Sequence, residues 1–153
     1  MDSLPPGQRL ALALHRATAL VDRVADAYLQ PAHGITVSAF RILITIQALQ
    51  PTRQSDIARA LDVSRASVTQ RLSALTGRGW VEVTPDPADS RAHTVSLSPT
   101  GTELLTAAWA GLDRSHDGLE NGVDLAALEQ ALDALAVNAR RHLSTIAATG
   151  HRP

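Results

Sequence analysis

Positions 54–100 hold two short helical patterns separated by a four-residue break, then two stretches of alternating polarity, and no other part of the sequence restricts the fold as strongly. In the first pattern Ile57, Ala58 and Leu61 recur at helical spacing, and Val68, Leu72 and Leu75 do so in the second. Each helix then has one apolar stripe and one polar face, and the two stripes must pack on each other. The break Leu61-Asp62-Val63-Ser64 is short enough to give an angular helix-turn-helix rather than a parallel hairpin. Asp62 falls where such a turn wants a positive φ, which Asp reaches at modest cost.

Ser64 is a good N-cap for the second helix. With Val68, Leu72 and Leu75 turned inward, a rotation of about 100° per residue puts Ala66, Ser67, Thr69, Gln70 and Ser73 on the outer side. That face is short, neutral and rich in hydrogen-bonding groups, which suits base edges in a major groove: Gln can pair twice with adenine, Ser with several partners, and the Ala methyl with a thymine methyl. Arg65 and Arg71 flank the buried stripe, where long cationic side chains could reach phosphates, and Ser64 and Arg53, the latter one of the arginines clustered in the reading unit, are expected among the DNA-binding residues. Taken alone, the same pattern also fits a solvated helix face; the elements around it argue otherwise.

Those elements are expected to be a two-stranded hairpin of 80–83 and 93–97, joined by a long loop that begins at Pro85-Asp86-Pro87. Its tip would carry Asp89-Ser90-Arg91, with Arg91 directed at a minor groove or its phosphates and Asp89 holding the guanidinium.

Asp89-Ser90-Arg91 followed by Val95-Ser96-Leu97-Ser98-Pro99-Thr100-Gly101, and preceded by Ile57-Ala58 and by 63–69, resembles the MarR family of winged-helix transcriptional regulators. The family's wing reads D-x-R-x-x-x-V-x-L-T-x-x-G, and only the T is changed, to Ser98. Gln70 stands where many members have arginine, and Ser73-Ala74 replaces a common Asp-x-Arg arrangement. The resemblance implies a small-molecule crevice between dimer helices and winged unit. The candidate polar groups facing it are His15, His33 and Arg41, with Trp109 as an apolar wall, and an anionic aromatic or phenolic effector would suit it.

On either side lie long amphipathic segments. A helix over 8–29, with Leu10, Leu14, Ala17, Val21, Val24 and Tyr28 on one face, is expected to end at Pro31 and Gly34. Thr36 or Ser38 then caps an apolar scaffold helix through Phe40, Leu43, Ile44, Ile46 and Leu49, stopped before Pro51. After the hairpin, Ser98-Pro99 opens a helix to about residue 116, and Asp124 caps a last one over 125–148 carrying Leu125, Leu128, Leu132, Leu135, Ala139, Leu143 and Ile146 on one face. Apolar stripes this long at both ends call for a second copy of the chain.

The expected fold is therefore mainly α with a small β-wing: a winged helix-turn-helix with long N- and C-terminal dimerisation helices. The expected division is 1–35 (N-terminal dimerisation helix), 36–100 (DNA-binding domain) and 101–153 (C-terminal dimerisation helices). A symmetric homodimer would read a pseudo-palindromic double-stranded DNA operator.

Composition limits the alternatives. The 153 residues include no cysteine, which excludes disulfides and thiol ligands, and no apolar run approaches the roughly 18 residues of a membrane span. A cytoplasmic location without membrane attachment is the expectation. With 14 arginines against 15 acidic residues the net charge is −1, so DNA affinity per subunit should be modest and salt-sensitive. The six histidines fall in different elements with no metal-binding spacing; a site built from His33, His116 and Asp117 would lack a thiol and any local ligand pattern, so neither a metal nor a cofactor is expected. No nucleophile elbow or nucleotide-binding glycine pattern points to an enzyme. The near-neutral charge also admits a second reading, a winged-helix protein-interaction module without specific DNA binding.

Overall fold

The computed structural model describes residues 4–86, 89–115 and 118–149, with the backbone alone at 90, 91, 148 and 149. The described residues form six helices and one two-stranded sheet. They divide into two compact units, Met1–Asp117 and Gly118–Pro153.

Helix α1 runs Pro6–His33. It passes through Pro31 instead of stopping there, which corrects the expected end. The proline lies in the last turn, where its missing N–H removes a single helical bond and its fixed φ already suits a helix. The stop comes at Gly34, in the left-handed region at φ 66, whose N–H donates to the Gln30 carbonyl at 2.9 Å. After a bend of 83°, α2 spans Val37–Leu49. Thr36 caps it, accepting from the Ala39 N–H at 3.2 Å, and the Asp26 carboxylate of α1 accepts from the Val37 N–H at 2.6 Å. Phe40, Ile42, Leu43 and Ile46 are all buried, so α2 is the internal scaffold that its continuous apolar sequence implies.

Helices α3 (Gln54–Ala60) and α4 (Arg65–Gly77) meet at a turn in which Asp62 has φ 54, as the turn geometry requires. Ile57 and Ala58 face Val68, Leu72 and Leu75 within the same buried cluster. The hairpin is longer than the alternation of polarity indicates: β1 covers Val81–Asp86 and β2 Asp89–Leu97, antiparallel with Val81 opposite Leu97 and Val83 opposite Val95. Pro85 and Asp86 are strand residues, and the register shifts between them. This overturns the long loop. Pro85 needs no ladder donor at a hairpin edge, so its turn signal is overridden by pairing with His93. Asp89 accordingly opens β2 instead of riding a loop tip. Thr52 adds a one-residue bridge to Val95, with reciprocal main-chain bonds of 3.1 and 2.7 Å, a contact that no local pattern marks.

Helix α5 (Pro99–Arg114) starts at Ser98, whose hydroxyl accepts from the Gly101 N–H at 3.0 Å. Two glycines let it approach its neighbours. A Cβ at Gly101 would lie 2.0 Å from the Trp80 carbonyl oxygen, and one at Gly111 would lie 1.5 Å from the Tyr28 hydroxyl. The core of this unit thus joins α1, α2, the helix-turn-helix and α5 around Leu29, Ile42, Leu43, Ile46, Ile57 and Leu105.

The second unit is α6, Leu125–Thr149, whose start is capped by Asp124 accepting from the Ala127 N–H at 3.0 Å. Its apolar stripe is uncovered in the single chain: Leu125, Leu128, Leu132, Leu135, Leu143 and Ile146 are 39 to 64% exposed. On α1, Leu10, Leu20, Val21 and Val24 are likewise exposed. No single described helix is long and apolar enough to cross a membrane.

Candidate nucleic-acid interface

The outer face of α4 follows from what is buried behind it. Val68, Leu72 and Leu75 are at most 3% exposed, which leaves Arg65, Ala66, Thr69, Gln70 and Ser73 exposed and Ser67 half-buried. Ser64 caps the helix, its hydroxyl accepting from the Ser67 N–H at 3.2 Å. That use leaves the hydroxyl hydrogen available to an outside acceptor. The Gln70 side chain makes no hydrogen bond among the described residues, so both ends of its amide are open to a partner.

Thr69 is differently occupied. Its hydroxyl lies 2.9 Å from the Arg65 carbonyl and 3.0 Å from the Gln54 side-chain oxygen. One hydroxyl hydrogen serves one acceptor at full strength, so Gln54, at the first position of α3, is coupled to the outer face of α4. Sequence reasoning missed Gln54. Its only signal is that the first turn of α3 must lie over the second helix of the motif.

Two arginines that were expected at DNA are engaged inside the chain or beside a cavity. Arg53 donates to the same Asp86 carboxylate oxygen from Nε at 2.9 Å and from Nη2 at 2.5 Å, and lies 4.0 Å from Asp89. The hydrogen bond to Asp86, and then the Asp86 charge itself, hold the Arg53 guanidinium above its ordinary pKa. Arg71 is half-buried and has no ion pair among the described residues. With Arg78, Trp80, Gly34, Thr36 and Ser38 it lines a cavity of about 220 Å³ between α4 and the α1–α2 turn. Arg78 closes one side, donating to the Gly34 carbonyl at 2.6 Å and lying 4.9 Å above the Trp80 ring.

None of the four residues expected at an effector crevice lines that cavity. Arg41 is ion-paired with Asp22, and the His33 ring nitrogen Nε2 lies 3.2 Å from the Tyr28 hydroxyl. Trp109 packs edge-on to Phe40 with centroids 5.2 Å apart, and His15 is exposed on α1. Among the described residues no group of three or more His, Asp or Glu could hold a metal ion; His116 and Asp117 lie outside those residues. The side chain of Arg91 also lies outside what is described, and its backbone belongs to β2.

A helix-turn-helix whose second helix shows a polar outer face, followed directly by a two-stranded hairpin, defines a winged helix-turn-helix protein. Residues 33–92 match the MarR family model. Over that stretch the chain is similar to the MarR family. It is 31% identical over 83 residues to the multiple antibiotic resistance protein MarR of Salmonella typhimurium, over 54% of this chain and 57% of that one. It is 30% identical over 95 residues to the MarR of Escherichia coli, over 62% of this chain and 65% of the relative. The matches thus span less than two thirds of these relatives' length. Structural likeness extends further. A mutant E. coli MarR complexed with operator DNA has a TM-score of 0.75 at 26% identity, over 83% of this chain and 93% of that one. The transcriptional repressor CouR bound to a 23-mer DNA duplex has a TM-score of 0.73 at 28% identity, over 90% and 99%.

Proposed function

We propose that this chain is a sequence-specific DNA-binding transcriptional regulator, a cytoplasmic repressor and not an enzyme, that binds a pseudo-palindromic operator as a homodimer. One observation carries the reading: Ala66, Ser67, Gln70 and Ser73 form an outward polar face on α4 beside a β-hairpin. Two such similar proteins, E. coli MarR and CouR, have been solved with DNA bound. In this reading those four residues and Thr69 meet base edges, while Ser64, Arg65 and, from the wing, Arg91 meet phosphates or the minor groove. Residues 36–100 act as the reading unit, and 1–35 and 101–153 supply the dimer contacts. The uncovered stripes of α1 and α6 support the last point, since exposed apolar rows of this length favour burial against a second copy.

The regulator also responds to a small anionic aromatic effector. Supporting this is the cavity beside Arg71, where a cation without an acidic partner among the described residues and the indole of Trp80 offer a carboxylate and a ring complementary surroundings. Its occupation changes DNA affinity only if the ligand binds one geometry of α4 more tightly than the other.

The test is selection of bound duplexes from random DNA, followed by affinity measurement at two salt concentrations. An enriched palindromic sequence whose affinity falls with salt supports the regulator. Failure to enrich any duplex favours the protein-interaction module.

A further inference from the structure

We propose that Arg53 is a positioning residue that sets the wing against the helix-turn-helix unit by holding Asp86 and Asp89 at the far end of the hairpin, and that it does not itself touch DNA. This rests on the DNA-binding reading above. Three observations carry it.

Asp86 has a side chain only 10% exposed, and a carboxylate so far withdrawn from water needs a cationic or hydrogen-bonded partner. Arg53 supplies two donors to one of its oxygens. Asp86 also stands directly opposite Asp89 in the antiparallel register, just beyond the shift that follows Pro85. Like charges at facing positions push strands apart, and the guanidinium between these two removes that repulsion. Finally, Arg53 occupies the N-cap position of α3 in an extended conformation without capping the helix, so its side chain is free to reach 33 residues ahead to the wing. The next residue, Gln54, reaches Thr69 on α4. The start of α3 therefore ties both DNA-facing elements to one point, and Arg91 lies two residues beyond Asp89 on the strand so held.

Charge alone and positioning predict opposite patterns. If Arg53 acted by attracting phosphates, Arg53→Gln would weaken binding and Asp86→Asn, which removes a negative charge, would strengthen it. If the tie positions the wing, both substitutions weaken binding, each by roughly tenfold, about the size of one lost contact in such an interface. The double variant is then no weaker than either single one.

The experiment measures affinity of the full chain and the three variants for the duplex selected with wild type, across a salt series, together with amide hydrogen exchange of the DNA-free proteins. Expected are equal-sign losses, non-additivity, an unchanged salt slope for Arg53→Gln, and faster exchange confined to the two strands. Tighter binding by Asp86→Asn, or a salt slope lowered by about one in Arg53→Gln, overturns the proposal. So does unchanged exchange in the strands. A wild-type chain that selects no duplex overturns the DNA-binding reading instead, and the exchange data then decide the tie by themselves.

Discussion

Arg78 donates from Nη1 to the main-chain oxygen of Gly34 at 2.6 Å, across 44 residues of sequence, and so joins the C-cap of α4 to the left-handed C-cap of α1. The helix that presents the polar face is thereby seated on the helix that leads into the scaffold. Arg78→Ala removes this charge-assisted bond and the stacking on Trp80. Because the group is exposed, the loss should be about 1 kcal/mol, well below that of a buried pair. Urea denaturation is the check; Arg78→Lys, with a compact head that cannot both donate and stack, should recover only part.

Gly101 and Gly111 make unequal demands. The obstacle at Gly101 is the fixed Trp80 carbonyl, whereas at Gly111 it is the end of the Tyr28 side chain, which can swing away. Gly101→Ala should cost about 3 kcal/mol and Gly111→Ala about 1 kcal/mol plus the Tyr28–His33 hydrogen bond. Thermal unfolding of the two variants would rank them, and a reversed order would mean that α5 is not seated on Trp80 as described.

On α4, Gln70 and Arg65 differ in what they can recognise. Gln70→Ala should weaken binding to the selected duplex by about 1–3 kcal/mol while leaving unrelated duplexes unaffected. Arg65→Ala should weaken all duplexes alike and reduce the salt slope by about one. Titrations against matched and scrambled duplexes separate these outcomes.

Dimer formation is tested on α6. Leu132→Glu with Leu135→Glu places two charges in the middle of the exposed apolar row. Light scattering at micromolar concentration should show a dimer for the wild type and a monomer for the variant, with operator affinity lost in parallel because two linked half-sites are no longer engaged together.

For the cavity, calorimetry with a panel of phenolic acids should give heat with the wild type and none with Arg71→Ala. Binding that persists in Arg71→Ala but disappears in Arg41→Ala would move the effector to the region first expected from sequence.

Much of this was legible in the residues themselves. The spacing of Val68, Leu72 and Leu75 determines which side of α4 is buried, and with it the exposure of Ala66, Gln70 and Ser73, because a helix has only one rotation that hides all three. Ser64, Ser98 and Asp124 announce their helix starts, Thr36 does so as one of two candidates with Ser38, and Asp62 announces its left-handed turn, since caps and turns are satisfied by neighbours within three or four residues. The wing motif resembles that of the family whose model matches residues 33–92.

What the tertiary structure alone decided lies between groups far apart in the chain. Pairing with β2 extends β1 through Pro85, the Thr52 bridge joins the sheet from outside the motif, and Arg53 finds Asp86 rather than open solvent. Arg71, Arg78 and Trp80 surround a cavity only because the α1–α2 turn packs across α4. Local periodicity is set by backbone geometry over a few residues and survives in the sequence. Partners 33 or 44 positions distant are chosen by how whole elements pack, and that choice leaves no periodic trace in the sequence to be read.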